Sequence, residues 1–490
     1  MPESALSAAA ALLLLAAPVP AGAAAPPSRY TITDLGADSG ATGINNAGVV
    51  VGYRGAHAVK WASGTAVDLG TLPGGASSVA NAINDAGQVA GTADRSPGGY
   101  GYPVRWSASG AITDLGGPLA NRLGVANAVD GGGRIVGGQR PADSEGSPLA
   151  TVYETDGTSR YLADPPDTLA AATGINALGH ITTGNGYVVW DGGTLVKLPG
   201  LRYFDGDPVT AAAINVRDQA TGSADIGDGV THAVLWDARD VAEHGAPIGT
   251  DLGTVDGIAH STGTALNAAG QVVGTADPMC QPCAAPKAWV WQPGGTATAL
   301  DTLIPAGTGW QLQQATGIND LGQIVGRGLL GGHVHAFLLT PRFHANVSFQ
   351  PATAAVPAGY AADTGAAYAA GRGWAADDST WTRLRPAAGA PDQRYRTLIH
   401  TQHPTGANVW ELAVPNGRYL VHVAAGDPGY TDSVYRIAVE GTLTVTGTPT
   451  TAHHFVEGTA TVTVTDGRLT VSNAAGATNN KLNYIDVIGL

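Results

Sequence analysis

The chemistry open to this 490-residue chain starts from its two cysteines, Cys280 and Cys283, within Asp277-Pro278-Met279-Cys280-Gln281-Pro282-Cys283. Two thiolates at that spacing could share a zinc ion, but a tetrahedral site needs four ligands and no second pair exists. A thioredoxin-like dithiol belongs at a helix start in a βαβ unit, which the pattern lacks. In an oxidising compartment the pair reads as a small disulfide stapling a long loop. Free thiols, and redox or metal work, are the alternatives. Carboxylate chemistry is thin. Glycosidic hydrolysis takes two carboxylates astride the scissile bond, whereas Glu occurs seven times, mostly in isolated positions such as Glu154, Glu411 and Glu440. The thirteen His are scattered, and His57, His232 and His335 recur at the start of one repeated strand, as structural residues do. No nucleophile elbow, H-E-x-x-H pair or phosphate loop is present.

What must position any site is a repeat. Seven times an apolar residue is followed by Asn or Asp, two small or polar residues, usually Gly, then a short apolar run ending in Gly. The first copies are Ile44-Asn45 to Gly52 and Ile83-Asn84 to Gly91. Val129-Asp130 to Gly137, Ile175-Asn176 to Gly184, Ile214-Asn215 to Gly222, Leu266-Asn267 to Gly274 and Ile318-Asn319 to Gly326 follow. The Asn or Asp positions are spaced by 39, 46, 46, 39, 52 and 52 residues. A period of roughly 40–45 residues suits one four-stranded propeller blade. Asn-x-x-Gly suits a tight hairpin, with Asn bonding its own backbone and Gly taking a positive φ. An aromatic strand follows six of the motifs, as in His57-Ala58-Val59-Lys60-Trp61, with Thr151-Val152-Tyr153 in its place in the third. Then, after every motif but the seventh, comes an Asp-Leu-Gly strand, as in Asp68-Leu69-Gly70, or a degenerate counterpart such as Lys197-Leu198. Trp61, Trp106, Trp190, Trp236 and Trp291 recur at one position and read as packing between units. The Asp-Leu-Gly carboxylates lack the dense D-x-D-x-D spacing of a calcium loop. Turn capping or a bond to the next unit is expected of them.

The ends of the array complete the count. Tyr30-Thr31-Ile32-Thr33-Asp34-Leu35-Gly36 is an Asp-Leu-Gly strand with no motif before it, and the seventh motif lacks one after it. The first strand is therefore expected to close the last unit, giving an all-β, seven-bladed β-propeller without open edges. The motif units, the Asp-Leu-Gly strands and His335-Ala336-Phe337 resemble the secreted HAF-repeat family over about residues 30–343. That resemblance implies an extracellular propeller-like array and no established activity. Repeat three departs most, with Val129-Asp130-Gly131-Gly132-Gly133 in place of Ile-Asn.

Composition narrows the partners. Charged residues are 13 % and apolar ones 44 %, with 70 Gly and 30 Pro, as in a folded, turn-rich β protein. A net charge of −14 argues against nucleic acid or an anionic membrane surface as partner. Residues 1–25 read as an export signal, with an apolar stretch around Leu12-Leu13-Leu14-Leu15 and a small-x-small cleavage site at Ala21-Gly22-Ala23. Glu3, and no Lys or Arg, precedes the stretch. No other segment resembles a membrane span, so the chain is expected to be secreted or associated with the cell surface.

Past Phe343 the period stops and strict alternation begins, in Tyr419-Leu420-Val421-His422-Val423 and Ala460-Thr461-Val462-Thr463-Val464. Asp466-Gly467 signals a hairpin. Short strands with Gly, Pro and Asn turns over residues 346–490 point to a β-sandwich (jelly roll). Val347-Ser348-Phe349-Gln350-Pro351, Gly371-Arg372-Gly373-Trp374, Pro415-Asn416-Gly417, Gly426-Asp427-Pro428 and Asn479-Asn480-Lys481-Leu482-Asn483-Tyr484 resemble the malectin-like carbohydrate-binding modules. The resemblance implies a non-catalytic sugar-binding sandwich. A sugar ring stacks its apolar face on an aromatic ring and offers hydroxyls to a polar rim. Tyr360, Tyr368, Trp374 and Tyr430, in Gly-rich loop-like contexts, are the candidate platforms. Asp427, Asp432, Asn479 and Lys481 are the candidate rim. Trp410 and Tyr419 read as core. Asp486 is a calcium candidate through its hard oxygens, or a solvated or hydrogen-bonded carboxylate; otherwise no cofactor is expected.

The expectation is a secreted, non-catalytic protein: a propeller interaction platform, with a possible protein partner, joined to a module for extracellular carbohydrate. The alternative is a polysaccharide-active hydrolase or lyase with its active site in the propeller funnel and the sandwich as targeting module.

Overall fold

The computed structural model describes residues 29–116, 123–140, 146–162, 169–190, 193–202, 208–244, 249–279, 285–357, 359–386, 390–403 and 406–489. The expected export segment and the Cys280–Cys283 pair lie outside them.

Among the described residues the chain is almost entirely antiparallel β-structure. Seven four-stranded sheets account for Tyr30 to Pro341. The first is Ser39–Ile44, Val50–Arg54, His57–Ala62 and Thr65–Asp68, and five more repeat that order. The seventh takes Trp310–Ile318, Ile324–Leu330 and His333–Pro341, with Tyr30–Ala37 as its fourth strand, Tyr30 opposite Pro341. The third unit, despite its divergent motif, is four-stranded like the others.

The motif's residues explain the unit. Asn45 accepts from Ala47 N at 3.1 Å and Val49 N at 2.9 Å, which shapes the turn between the first two strands. Gly48 takes φ 75° there; in the fifth unit Asp218 stands at that place with φ 61°, a region that Asp tolerates better than most. The first strand of every sheet carries a bulge, as between Ala41 and Gly43 or between Ala315 and Gly317. The motif's last Gly faces that bulge. A Cβ on Gly52 would lie 2.0 Å from Gly40 O, and one on Gly326 would lie 1.9 Å from Gln314 O. Only the fourth unit has another residue there, Thr183, with Gly184 following.

Two sets of side chains tie the sheets into a ring. The motif Asn, buried in each case, donates through Nδ2 to the carbonyl of the same residue in the next sheet. The links run Asn45 to Asn84 (3.1 Å), Asn84 to Asp130 (2.8 Å), Asn176 to Asn215 (2.9 Å), Asn215 to Asn267 (2.9 Å), Asn267 to Asn319 (3.0 Å) and Asn319 back to Asn45 (2.9 Å). Asp130 has no amide to donate, and the link to the fourth sheet is missing. The bulged residues form a second set: Thr42, Asn81, Asn127, Thr173, Thr264 and Thr316 each donate to a first-strand carbonyl of the following sheet. Ala212 is the one bulge residue without a donor. The first strands pack against one another around the ring and so lie nearest its axis. Trp61, Trp106 and Trp236 are buried between sheets and donate Nε1 to a carbonyl of the preceding unit, at Leu35, Leu69 and Pro199. His57, His232 and His335 bond the Asp of their own sheet's Asp-Leu-Gly strand, at Asp68, Asp251 and Asp34.

From His344 onward two five-stranded sheets face each other. One is built on His344–Phe349, Gly417–Gly426, Phe455–Val464 and Tyr484–Gly489, the other on Arg372–Trp374, Trp410–Ala413, Tyr435–Val439 and Arg468–Asn473. Phe349, Val421, Val423, Val487, Trp374, Trp410, Ile437 and Val471 form one shared core. A three-stranded sheet of Thr382–Leu384, Thr397–His400 and Lys481–Leu482 lies beside them.

Candidate functional site

The aromatic and polar residues singled out in the sequence divide into four places. Five of the eight meet where the loop after Gly417–Gly426 meets the small three-stranded sheet. Asp427 begins that loop, fully buried, and takes a two-pronged ion pair from Arg385, with Nε at 3.0 Å and Nη2 at 2.7 Å. Its Oδ1 also accepts from Gly429 N at 3.0 Å, so Asp427-Pro428-Gly429 is a pinned turn that carries Tyr430 outward. Tyr430 is 53 % exposed. The Arg385 guanidinium carbon lies 4.9 Å from the centre of its ring and backs one side of it.

Beyond Tyr430 the loop supplies Asp432, whose carboxylate accepts from Lys481 Nζ at 3.1 Å. Burial would raise the Asp432 carboxyl, but the Lys481 hydrogen bond and charge hold it below the usual value. Lys481 Nζ also donates to Ser433 Oγ at 2.7 Å, and Ser433 Oγ donates to Asn479 O. Asn479, at φ 54°, meets His400 Nδ1 through its Oδ1 at 3.0 Å. Desolvation, helped by the charges of Lys481 and Arg383, lowers the pKa of His400 and keeps it neutral at pH 7. Trp381 stands edge-on to His400, with ring centres 6.2 Å apart. The outcome is an exposed ring beside an exposed carboxylate, an amide and an imidazole, all held from beneath. That surface can stack a sugar face and bond its hydroxyls.

Three sequence readings need correction here. Trp374 is not a platform. It is 1 % exposed, in the core against Phe349, and its Nε1 donates to Asp363 Oδ1 at 3.0 Å. Its neighbour Gly373 is a strand residue, because Arg372–Trp374 pairs with Trp410–Ala413. Asp427 and Lys481 are not rim groups open to a ligand, since each is buried and spends its charge on an internal partner. Tyr368 lies apart, half-buried with Arg468 4.5 Å over its ring.

Tyr360 belongs to a second cluster, on the outer face of the sheet that holds Gly417–Gly426. Its hydroxyl donates to Asp486 Oδ1 at 2.7 Å, and burial is the chief cause of its raised pKa. His422 sits between Glu457 (3.0 Å) and Asp486 (3.6 Å), and the Asp486 bond raises its pKa. Tyr395 bonds both Glu457 and Tyr484, and burial pushes its hydroxyl up to about 12. Asp486 is therefore a hydrogen-bonded carboxylate, and no grouping of His, Cys, Asp and Glu suited to a metal ion occurs among the described residues.

Sequence reasoning missed Arg385, His400 and Trp381, and gave Asp363 no role beyond its place in the malectin-like resemblance. Arg385 is 42 residues from Asp427 and Asp363 is 47 from Trp410, so no local spacing flags either pair. No helix of the described residues is long and apolar enough to cross a membrane.

No family model matches the chain, and no curated protein matches it. Among solved structures it is similar to a streptogramin B lyase, at 13 % identity over 64 % of this chain and 98 % of that one, with a TM-score of 0.40. It is also similar to an exo-β-1,3-galactanase from Phanerochaete chrysosporium determined with β-1,3-galactotriose, at 11 % identity over 93 % of this chain and 100 % of that one, TM-score 0.25. A Bacillus subtilis protein is 21 % identical over 30 % of this chain, with a TM-score of 0.24, and the chain spans 40 % of its length.

Proposed function

We propose that this is a secreted, non-catalytic binding protein that needs no cofactor. In this reading the ring is a seven-bladed propeller of the HAF-repeat type and acts as an interaction platform. The C-terminal part is a malectin-like jelly roll that takes an extracellular carbohydrate on the surface around Tyr430. The observation that carries the reading is the exposed Tyr430 ring, backed by Arg385 in its ion pair with the buried Asp427 and bordered by Asp432 and Asn479. A binding surface gains most from aromatic groups already fixed in place, because less freedom is lost on association. The net charge of −14 supports a neutral rather than a polyanionic main partner.

A glycan-array screen with the full chain, repeated with Tyr430→Ala, tests this. Retention of one glycan class, weakened at least about tenfold by the substitution with unfolding unchanged, is the expected result. A folded chain that retains no glycan, or a variant that binds as well as the parent, overturns it.

One observation favours the enzymatic alternative. On the turns after the innermost strands, Asn46 Nδ2 donates to Asp85 Oδ2 at 3.1 Å and to Asp320 Oδ2 at 3.0 Å. Two carboxylates thus approach within about 6 Å at one mouth of the ring, a separation glycosidases use. Each also accepts a backbone N–H across sheets, from Asn46 and Ala268, which is the role of a structural tie. Release of reducing ends from a bound polysaccharide, lost in Asp85→Asn and Asp320→Asn, would move the assignment to a hydrolase.

A further inference from the structure

Between the ring and the C-terminal sheets the chain leaves one strand at Pro341 and enters the next at His344, with only Arg342 and Phe343 between. Arg342 N donates to Arg29 O at 2.8 Å, which continues the pairing of Tyr30 with Pro341 by one rung. The two arginines are thereby fixed beside each other at the junction. A cleft of about 640 Å³ opens there, lined by Arg29, Arg342 and His344 together with Gln271, Gln292 and Asn346. Tyr30, Leu321 and Ile488 give it apolar walls. Its size is that of a small-molecule site, typically about 300–1,000 Å³.

The charges in this cleft are unbalanced. Neither Arg29 nor Arg342 has an ion pair or a side-chain hydrogen bond among the described residues, and Arg342 Nε is buried without an acceptor. Arginine elsewhere in the chain is commonly paired, as in Arg95–Asp114, Arg239–Asp218, Arg385–Asp427 and Arg468–Glu411. Asp320 is the one acidic residue of the lining, and its two oxygens are taken by Ala268 N and Asn46 Nδ2. Desolvation and then the Arg29 charge lower the pKa of His344, with Asp486 opposing, so its ring is neutral at pH 7 and able to donate one hydrogen bond. Two adjacent cations, with a desolvated N–H lacking an acceptor, are costly when empty and are satisfied together by one oxyanion. The amides of Gln271, Gln292 and Asn346 offer donors and acceptors for neutral hydroxyls around it.

We propose that the junction cleft is a second binding site, separate from the Tyr430 surface, that takes a small ligand bearing a carboxylate or sulfate group. Arg29 and Arg342 hold the oxyanion, and the glutamines and Asn346 hold the remainder of the ligand. The site requires both parts of the chain, since Gln271 and Gln292 come from the ring and His344 and Asn346 from the strand after it.

Calorimetric titration of the full chain at low salt tests this with three probes: a galacturonate oligomer, the neutral galactose oligomer of equal length, and sodium sulfate. The uronate is expected to bind at least tenfold more tightly than its neutral counterpart and to weaken as salt rises. Arg29→Gln and Arg342→Gln should each weaken it at least tenfold, while Tyr430→Ala leaves it unchanged. If free sulfate also binds and competes with the uronate, the oxyanion is the recognised group; if sulfate binds and the uronate does not, the ligand is a sulfate. Because Arg342 is partly buried, its variant is read only with an unchanged thermal midpoint, and the exposed Arg29→Gln carries the test otherwise. Equal binding of charged and neutral oligomers, failure of both anions to bind, or indifference to both substitutions overturns the proposal.

Discussion

Asn319 in the ring and Asp363 in the C-terminal sheets are both buried polar side chains with several hydrogen bonds, yet they belong to different kinds of construction. Asn319 shapes its own turn through Leu321 N and Gln323 N and reaches one carbonyl in the next sheet, at Asn45. Four other asparagines do the same, and Asn84 does so with one turn bond, from Gln88 N. Asp363 has no counterpart: one carboxylate accepts from the indoles of Trp374 (3.0 Å) and Trp410 (2.9 Å) and from Gly365 N (3.0 Å), with Arg372 3.5 Å away. The ring spreads its polar ties over many equivalent places and tolerates gaps at Asp130 and Ala212. The C-terminal sheets concentrate theirs, so single residues matter more and the remaining loops are released for a site.

The sharpest test of that contrast is Asp363→Ala. It leaves two indole N–H groups buried without acceptors and Arg372 without its carboxylate, and should destabilise the C-terminal sheets by about 3–5 kcal/mol in urea unfolding. Trp374→Ala belongs to the same class through the cavity it opens, and so reports on folding rather than on sugar binding. Asn319→Ala should cost less, about 2 kcal/mol, because the turn N–H groups lie near solvent and other ties remain between the seventh and first sheets. A loss for Asn319→Ala as large as that for Asp363→Ala would remove the distinction.

A pH series should expose one group of opposite sign in each region. In the ring, burial works to raise the pKa of Asp218, but hydrogen bonds from His180, Arg239 and Asn176 outweigh it and the pKa is lowered. Its contribution is present above the unfolded carboxylate value of about 3.9 and is lost as pH falls through the lower folded value. In the C-terminal sheets His422 has a raised pKa, from Asp486 first and Glu457 with it, against desolvation. Its contribution is present below about pH 6.5 and lost as pH rises through the folded value. Urea midpoints followed separately for the two regions should therefore carry an acid-side fall from Asp218 in the ring and a mildly alkaline fall from His422 in the sheets, where Asp432 and His400 add an acid-side fall of their own. Asp218→Asn and His422→Gln should flatten those slopes.

The smallest effect should come from repairing the ring. Asp130 accepts from Gly132 N and Arg134 N as an Asn would, and also pairs with Arg134 Nε at 3.0 Å. In an Arg134→Gln background, where that half-exposed pair is gone, Asp130→Asn should supply the missing bond to Asn176 O. The expected gain is about 1 kcal/mol in urea unfolding. No gain would mean that the inter-sheet amide is not a stabilising tie.

Much of the ring was legible because its residues answer to neighbours a few positions away. Asn45 makes its turn with Val49, Gly52 leaves room for Gly40 O, and each unit repeats the argument. The candidate site was legible only in part. Tyr430 and Asp432 could be picked out from a Gly-Asp-Pro-Gly turn, where a polar loop exposes its aromatic residue. Trp374 in Gly-Arg-Gly-Trp carries the same local signal and is buried, because Arg372–Trp374 becomes a strand paired with Trp410–Ala413. Glycine neighbours look alike whether they make a loop or let two chains approach closely.

The amino-acid sequence by itself determined the period, the four-strand unit, the tight Asn-x-x-Gly turns and the change of character after Phe343. Each of these rests on hydrogen bonds and steric limits spanning a few residues, so the order of residue types suffices to express them. Only the tertiary structure decided that Asp427 and Lys481 are buried, that Arg385 backs Tyr430, and that Arg29 and Arg342 stand unpaired in one cleft. The charge partners in those cases lie tens to hundreds of residues apart in the chain. Burial and pairing are properties of the closed fold, and no local pattern encodes which distant side chain arrives to satisfy a charge, or that none does.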